Sequence, residues 1–246
     1  FSSNINKIIR MDREGRLLEE VRPKILFNSL VGYWKGKYYL MHFKRTQFER
    51  QSQLREENLV LYIVDSEGKA SPTSLNFPIT ISYNFGDRAF SSMTVSRLKT
   101  LHETPRLKYL IHSPEYMVRL LDLDTVEVKL NFRRDYRRLE YTKKWESWMN
   151  KSMAQPKYQN DVYCVLLHRD NIWVVTSTFD DKKGLLIDVF TREGKYKNNF
   201  YLPLMNIKKD DHIYAPMALS EDYLYVIQQD EEGLFFIVKY EIKKAA

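Results

Sequence analysis

Apolar and polar residues alternate along this chain in runs of strand length, and the runs come in pairs that recur. The first members of the pairs are Lys35–Met41, Arg106–Ile111, Asp170–Val175 and Glu221–Ile227. The second members are Leu59–Asp65, Tyr116–Asp122, Leu185–Phe190 and Leu234–Tyr240. Their length and their Val, Ile, Tyr and Phe content predict strands rather than helices. A five-residue punctuation recurs as Asp12-Arg13-Glu14-Gly15-Arg16, Asp65-Ser66-Glu67-Gly68-Lys69 and Thr191-Arg192-Glu193-Gly194-Lys195. Glycine in its fourth place supplies the positive φ that a tight hairpin needs. At Asp122-Leu123-Asp124-Thr125 the turn is kept without glycine.

Less regular strands are expected ahead of each pair, near Leu26–Tyr33, Ser92–Leu98, Asp161–Leu167 and His212–Ala218. A repeated cassette made only of strands predicts an all-β fold, a β-propeller of four-stranded antiparallel blades. The expected layout is a single domain over 1–246, with a partial blade at 1–22 and blades near 24–76, 90–132, 161–202 and 212–243. Arg45–Asn58 reads as a polar, helix-compatible insertion and Pro72–Arg88 as a second insertion with its own apolar run, Phe77–Tyr83. A third insertion, 133–160, places Leu139, Trp145, Trp148 and Met149 at the spacing of a short helical stripe. Two ring closures are open: the N-terminal strands complete the last blade of a small ring, or one or two upstream blades of a six-bladed ring lie outside this chain, which is the closure expected because the N-terminal run reads as a third and fourth strand of its own blade.

Composition sharpens this only a little. Of 246 residues, 43% are hydrophobic and 14% aromatic, which supports a sizeable core. A net charge of +7 favours acidic partners, but the basic residues are dispersed and no nucleic-acid motif accompanies them. The single cysteine, Cys164, sits in an apolar run, where it reads as a buried hydrophobe and excludes an internal disulfide. No run is long enough for a transmembrane helix.

Catalytic signatures are sparse. The histidines, His42, His102, His112, His168 and His212, lack metal-ligand spacing. No Gly-x-Ser-x-Gly elbow or Gly-rich phosphate loop occurs. Asn28, Asn160, Asp161 and Asp211 are the oxygen donors a channel-mouth divalent ion would use, and each also suits a loop cap. No cofactor is expected. The densest charge feature is Arg133-Arg134-Asp135-Tyr136-Arg137-Arg138, continuing to Lys143-Lys144-Trp145. Arg133, Arg134, Tyr136, Arg137, Arg138, Trp145 and Trp148 are the candidate contact residues, because Arg and aromatic side chains dominate interface hot spots.

The runs Asn171–Ser177, Leu186–Tyr196 and Phe200–Pro203, and the turn Asp12–Leu17, resemble the bacterial six-bladed, NHL-like (TolB-like) propeller proteins. The likeness is tightest over residues 161–203, and the Gly-Pro-Gly-rich early loops usual in such families are missing. The resemblance implies an extracytoplasmic bacterial protein, periplasmic, lipid-anchored or secreted. It implies no activity, because propellers host many functions. Three readings follow: a non-catalytic scaffold for a protein partner or extracellular ligand, a peripheral subunit of a larger assembly, or a metal-dependent lactonase-like hydrolase.

Overall fold

The computed structural model describes residues 6–43, 53–85, 90–94, 98–140, 157–204 and 216–243. Within them the fold is all-β, and the helical content is one 3-10 turn, Ser113–Glu115. Five sheets follow one another along the chain. The first holds β1 (Ile8–Met11) and β2 (Leu17–Val21). The second holds β3 (Ser29–Trp34), β4 (Lys37–Phe43), β5 (Gln53–Val64), β6 (Ala70–Phe85) and β7 (Phe90–Thr94). The third holds β8 (Leu98–His102), β9 (Leu107–His112), β10 (Met117–Asp122) and β11 (Glu127–Arg133). The fourth holds β12 (Val162–His168), β13 (Asn171–Asp180), β14 (Gly184–Thr191) and β15 (Tyr196–Leu202). The fifth holds β16 (Met217–Leu219), β17 (Tyr223–Gln229) and β18 (Phe235–Glu241). Spatial order follows chain order in every sheet, and the pairings are antiparallel.

Strand periodicity explains the stacking, because successive side chains point to opposite faces. In β4, Tyr38 and Leu40 pack with Ile8 and Val21 of the first sheet, while Tyr39 and Met41 pack with Leu110 and Leu121 of the third. In β9, Leu110 faces back, whereas Tyr109 and Ile111 join Val165, Ile172 and Val174 of the fourth sheet. In β13, Trp173 and Val175 meet Leu224 and Val226 of the fifth. Central strands are therefore apolar on both faces, and β14 is buried from Gly184 to Phe190. Each fully buried Val, Leu or Ile contributes about 1.5–3 kcal/mol, so the seams between sheets hold most of the stability. Among the described residues no apolar cluster joins the fifth sheet to the first.

The punctuation folds as one repeated loop. Asp12 Oδ1 accepts from the amides of Glu14 and Arg16, and Asp65 Oδ1 accepts from those of Glu67 and Lys69. Thr191 Oγ1 does the same for Glu193 and Lys195. Asp230 repeats it for Glu232 and Leu234, at a hairpin between second and third strands that the sequence pattern does not single out. The fourth-place glycines, Gly15, Gly68, Gly194 and Gly233, all have φ between 77° and 86°. In the glycine-free version Val126 takes φ 56°, a conformation unfavourable for a β-branched residue.

Two strand placements differ from the pattern-based expectation. Gln53–Asn58 is the start of β5 rather than helix, and Phe77–Tyr83 belongs to the long β6 rather than to an insertion. The two pair from Gln53 opposite Tyr83 to Val64 opposite Ala70 with one register shift between Val60 and Tyr62; Leu59, Leu61, Phe77, Ile79 and Ile81 take inward positions, and Glu57 and Ser82 are buried as well. Ser92–Thr94 lies in β7, the last strand of the second sheet, and the third sheet opens at Leu98. The far half of β6 offers an open edge of backbone donors and acceptors, which β7 satisfies. The expected helical stripe through Trp145, Trp148 and Met149 lies outside the described residues, as do Asp211 and His212.

Candidate functional site

The seam between the third and fourth sheets carries the most unusual chemistry. Asp188 sits in the middle of β14, flanked by Ile187 and Val189, and is fully buried. Its side chain shares the face of Phe190, toward the third sheet. There the Tyr116 hydroxyl donates to Asp188 Oδ2 at 2.6 Å, and the Arg134 guanidinium pairs with Oδ1. Burial raises the Asp188 carboxyl, and the Tyr116 bond and Arg134 charge counter it. Tyr116 follows the 3-10 turn with φ 44°, a left-handed conformation held by rings packed against it, Tyr136 at 5.4 Å and Phe190 at 6.4 Å.

Beyond β11 the chain crosses this seam, where Tyr136 packs against the cluster shared by the third and fourth sheets. The Tyr136 hydroxyl is 2.5 Å from Thr178 Oγ1, and Glu140 bridges to Tyr158. The Arg138 guanidinium lies over the Tyr158 ring at 4.6 Å, with its Nε 3.6 Å from Asp161 Oδ1. Asp161 is 4% exposed, and its backbone carbonyl is pinned by the Ser177 amide at 3.2 Å. No hydrogen-bond donor reaches its Oδ1. Burial pushes the Asp161 carboxyl up to about 6; Arg138 opposes this and Glu115 adds to it.

These groups enclose an open cleft of about 380 Å³, a size that suits a small molecule or a partner's side chains. Glu115, Tyr116 and Met117 form one wall, and Arg133 to Tyr136, Arg138 and Asp161 form the other. The cleft gathers four of the expected contact residues, Arg133, Arg134, Tyr136 and Arg138. They are not equivalent: Arg134 and Arg138 answer buried carboxylates, whereas Arg133 is exposed, with no ion-pair partner among the described residues. Arg137 is likewise exposed and unpaired among the described residues, on the same segment but outside the lining. Trp145 and Trp148 lie outside the described residues.

Sequence reasoning treats Asp161 as a loop cap or metal ligand and passes over Tyr116, Glu115 and Asp188. The available signal was Asp188 itself, a carboxylate interrupting the apolar run Leu185–Phe190. Asn28 Oδ1 accepts from the Phe43 amide at 3.0 Å, and the Asn160 carbonyl accepts from the Ser177 hydroxyl. Among the described residues, no group of three His, Cys, Asp or Glu side chains is placed to hold a metal ion. His42 packs edge-on to Tyr62, and His168 Nε2 lies 2.9 Å from the Glu221 carbonyl. Burial pushes the Cys164 thiol up to about 12, which leaves it unreactive at neutral pH.

No protein-family model matches the chain, and none of the curated proteins matches it. Among the described residues, no helix is long and apolar enough to cross a membrane.

Proposed function

We propose that the chain belongs to a β-propeller of the six-bladed, NHL-like kind, that it works outside the bacterial cytoplasm, and that it is a non-catalytic scaffold binding an acidic protein partner at the cleft between the third and fourth sheets. The face-to-face succession of antiparallel meander sheets supports the fold reading. The observation that carries the function is the exposure of Arg133 and Arg137, unpaired among the described residues, at the cleft that Tyr116 and Tyr136 line. Exposed guanidiniums on a pre-organised support recognise carboxylates at low entropic cost. The test is fluorescence anisotropy with a labelled glutamate-rich peptide. Binding that weakens with salt and is lost in Arg133→Glu/Arg137→Glu supports the reading; equal binding by the doubly substituted chain overturns it.

The outer faces of the end sheets favour a second reading, a subunit of a larger assembly. Ile9 and Leu18 of the first sheet and Ile227, Phe235 and Ile237 of the fifth are exposed. Co-purification at fixed stoichiometry from the source organism separates this reading from a transient binder.

A further inference from the structure

We infer that the floor of the cleft at Asp161 is a subsite for a small zwitterion of the amino-acid class, whose ammonium group donates to Asp161 Oδ1 while its carboxylate meets the Arg133 guanidinium. The missing donor is the starting point. Asp161 is 4% exposed, yet its Oδ1 receives no hydrogen bond, and the Arg138 Nε at 3.6 Å is beyond hydrogen-bonding reach. A buried carboxylate oxygen left in this state is costly, and such groups are retained where a ligand supplies the partner. Asp161 lines the cleft, and its Oδ1 lies just beneath the cleft surface, so a donor reaches it once a neighbouring side chain shifts.

The charge pattern selects the ligand. The charges that act on Asp161 are Arg138 and, from the exposed wall, Glu115, whose Oε2 also meets His112 Nδ1, and this surplus of negative charge favours an ammonium over a neutral donor. At the rim, Arg133 has no ion-pair partner among the described residues and is open to a carboxylate. Between them Tyr116, Met117 and Tyr136 offer an aromatic and thioether wall for an apolar side chain. A molecule with one charge of each sign satisfies both ends, whereas an anion or a cation alone satisfies one. The inference uses the cleft described above but needs no macromolecular partner, since the floor carries it.

The test is saturation-transfer NMR on the full chain at neutral pH with free amino acids as probes, and with acetate and methylamine as single-charge controls. The expected result is millimolar or tighter binding of at least one amino acid, at least about tenfold tighter than either control. Asp161→Asn and Arg133→Ala, with unchanged circular dichroism, should each weaken it by about tenfold or more. No amino-acid binding at millimolar concentration, or equal binding by Asp161→Asn, overturns the proposal. If amino acids bind and the glutamate-rich peptide does not, the acidic-partner reading fails and this one stands.

Discussion

The Tyr116 hydroxyl and the Asp188 carboxylate, 2.6 Å apart, belong to neighbouring sheets, and their hydrogen bond fixes the seam on which the cleft is built. Arg134 completes the arrangement from the segment after β11. Burying a carboxylate this deeply is costly, and at Asp188 both oxygens are answered. The trio therefore couples the packing of two sheets to the position of the arginine segment.

Removing one partner should be more damaging than its contact with solvent suggests. Arg134→Ala leaves Asp188 buried with a single donor and is expected to cost about 3 kcal/mol in urea unfolding. Tyr116→Phe keeps the ring packing and removes one hydrogen bond to a charged group, for a cost of about 1.5–3 kcal/mol. In Asp188→Asn the Arg134→Ala cost should shrink, and a double-mutant cycle measures the difference. Additive losses would show that the pair is not coupled. Charge reversal at Arg134 is thus a folding experiment, and partner binding is better probed at Arg133 and Arg137.

Asp161 should respond in the opposite sense. Its folded-state proton affinity, about 6, exceeds the ordinary carboxylate value of about 3.9. Protonation therefore favours the folded chain. No penalty exists below pH about 4, it grows as pH rises to about 6, and above that it is complete. Asp161→Asn is expected to raise stability at pH 7 by about 1–3 kcal/mol, with the gain disappearing near pH 4. Chemical denaturation at both pH values checks this; a substitution that destabilises at pH 7 contradicts it.

The repeated hairpins should differ in their tolerance of a side chain. All four glycines have positive φ, so each Gly→Ala carries a backbone cost of about 1–2 kcal/mol. At Gly15 a Cβ meets nothing within 4 Å, whereas at Gly68 it would lie 2.2 Å from the Arg22 carbonyl oxygen. At Gly194 it would lie 2.7 Å from the Phe132 ring. Both hairpins dock on the preceding sheet or the chain just after it, a relation that recurs between the first and second and the third and fourth sheets. Gly68→Ala and Gly194→Ala should therefore lower the melting temperature well beyond Gly15→Ala. Equal effects at Gly15 and Gly68 would mean that this docking contributes little.

The strands were legible because burial on both faces writes itself into sequence as apolar runs, as in Leu185–Phe190, and because the hairpins need glycine. The sheet of β7 was not legible: Ser92–Thr94 reads as a strand that opens the third sheet, but pairing with the open edge of β6 makes it the last strand of the second. Gln53–Asn58 was misread for a related reason: its polar residues, Glu57 buried among them, lack the apolar alternation that marks a strand and resemble those of a solvated helix. At the site, the arginine cluster stood out by density, but which arginines are committed depends on Asp188 and Asp161. Those partners are 54 and 23 residues away along the chain (188 − 134 and 161 − 138), and local patterning does not carry such contacts.

The most direct test of the binding-surface account is backbone NMR mapping with the glutamate-rich peptide on the full chain. Shift changes concentrated at Glu115–Met117 and Arg133–Arg138, absent from Arg133→Glu/Arg137→Glu, are the predicted result. Changes centred on another sheet, or none at saturating peptide, would contradict it.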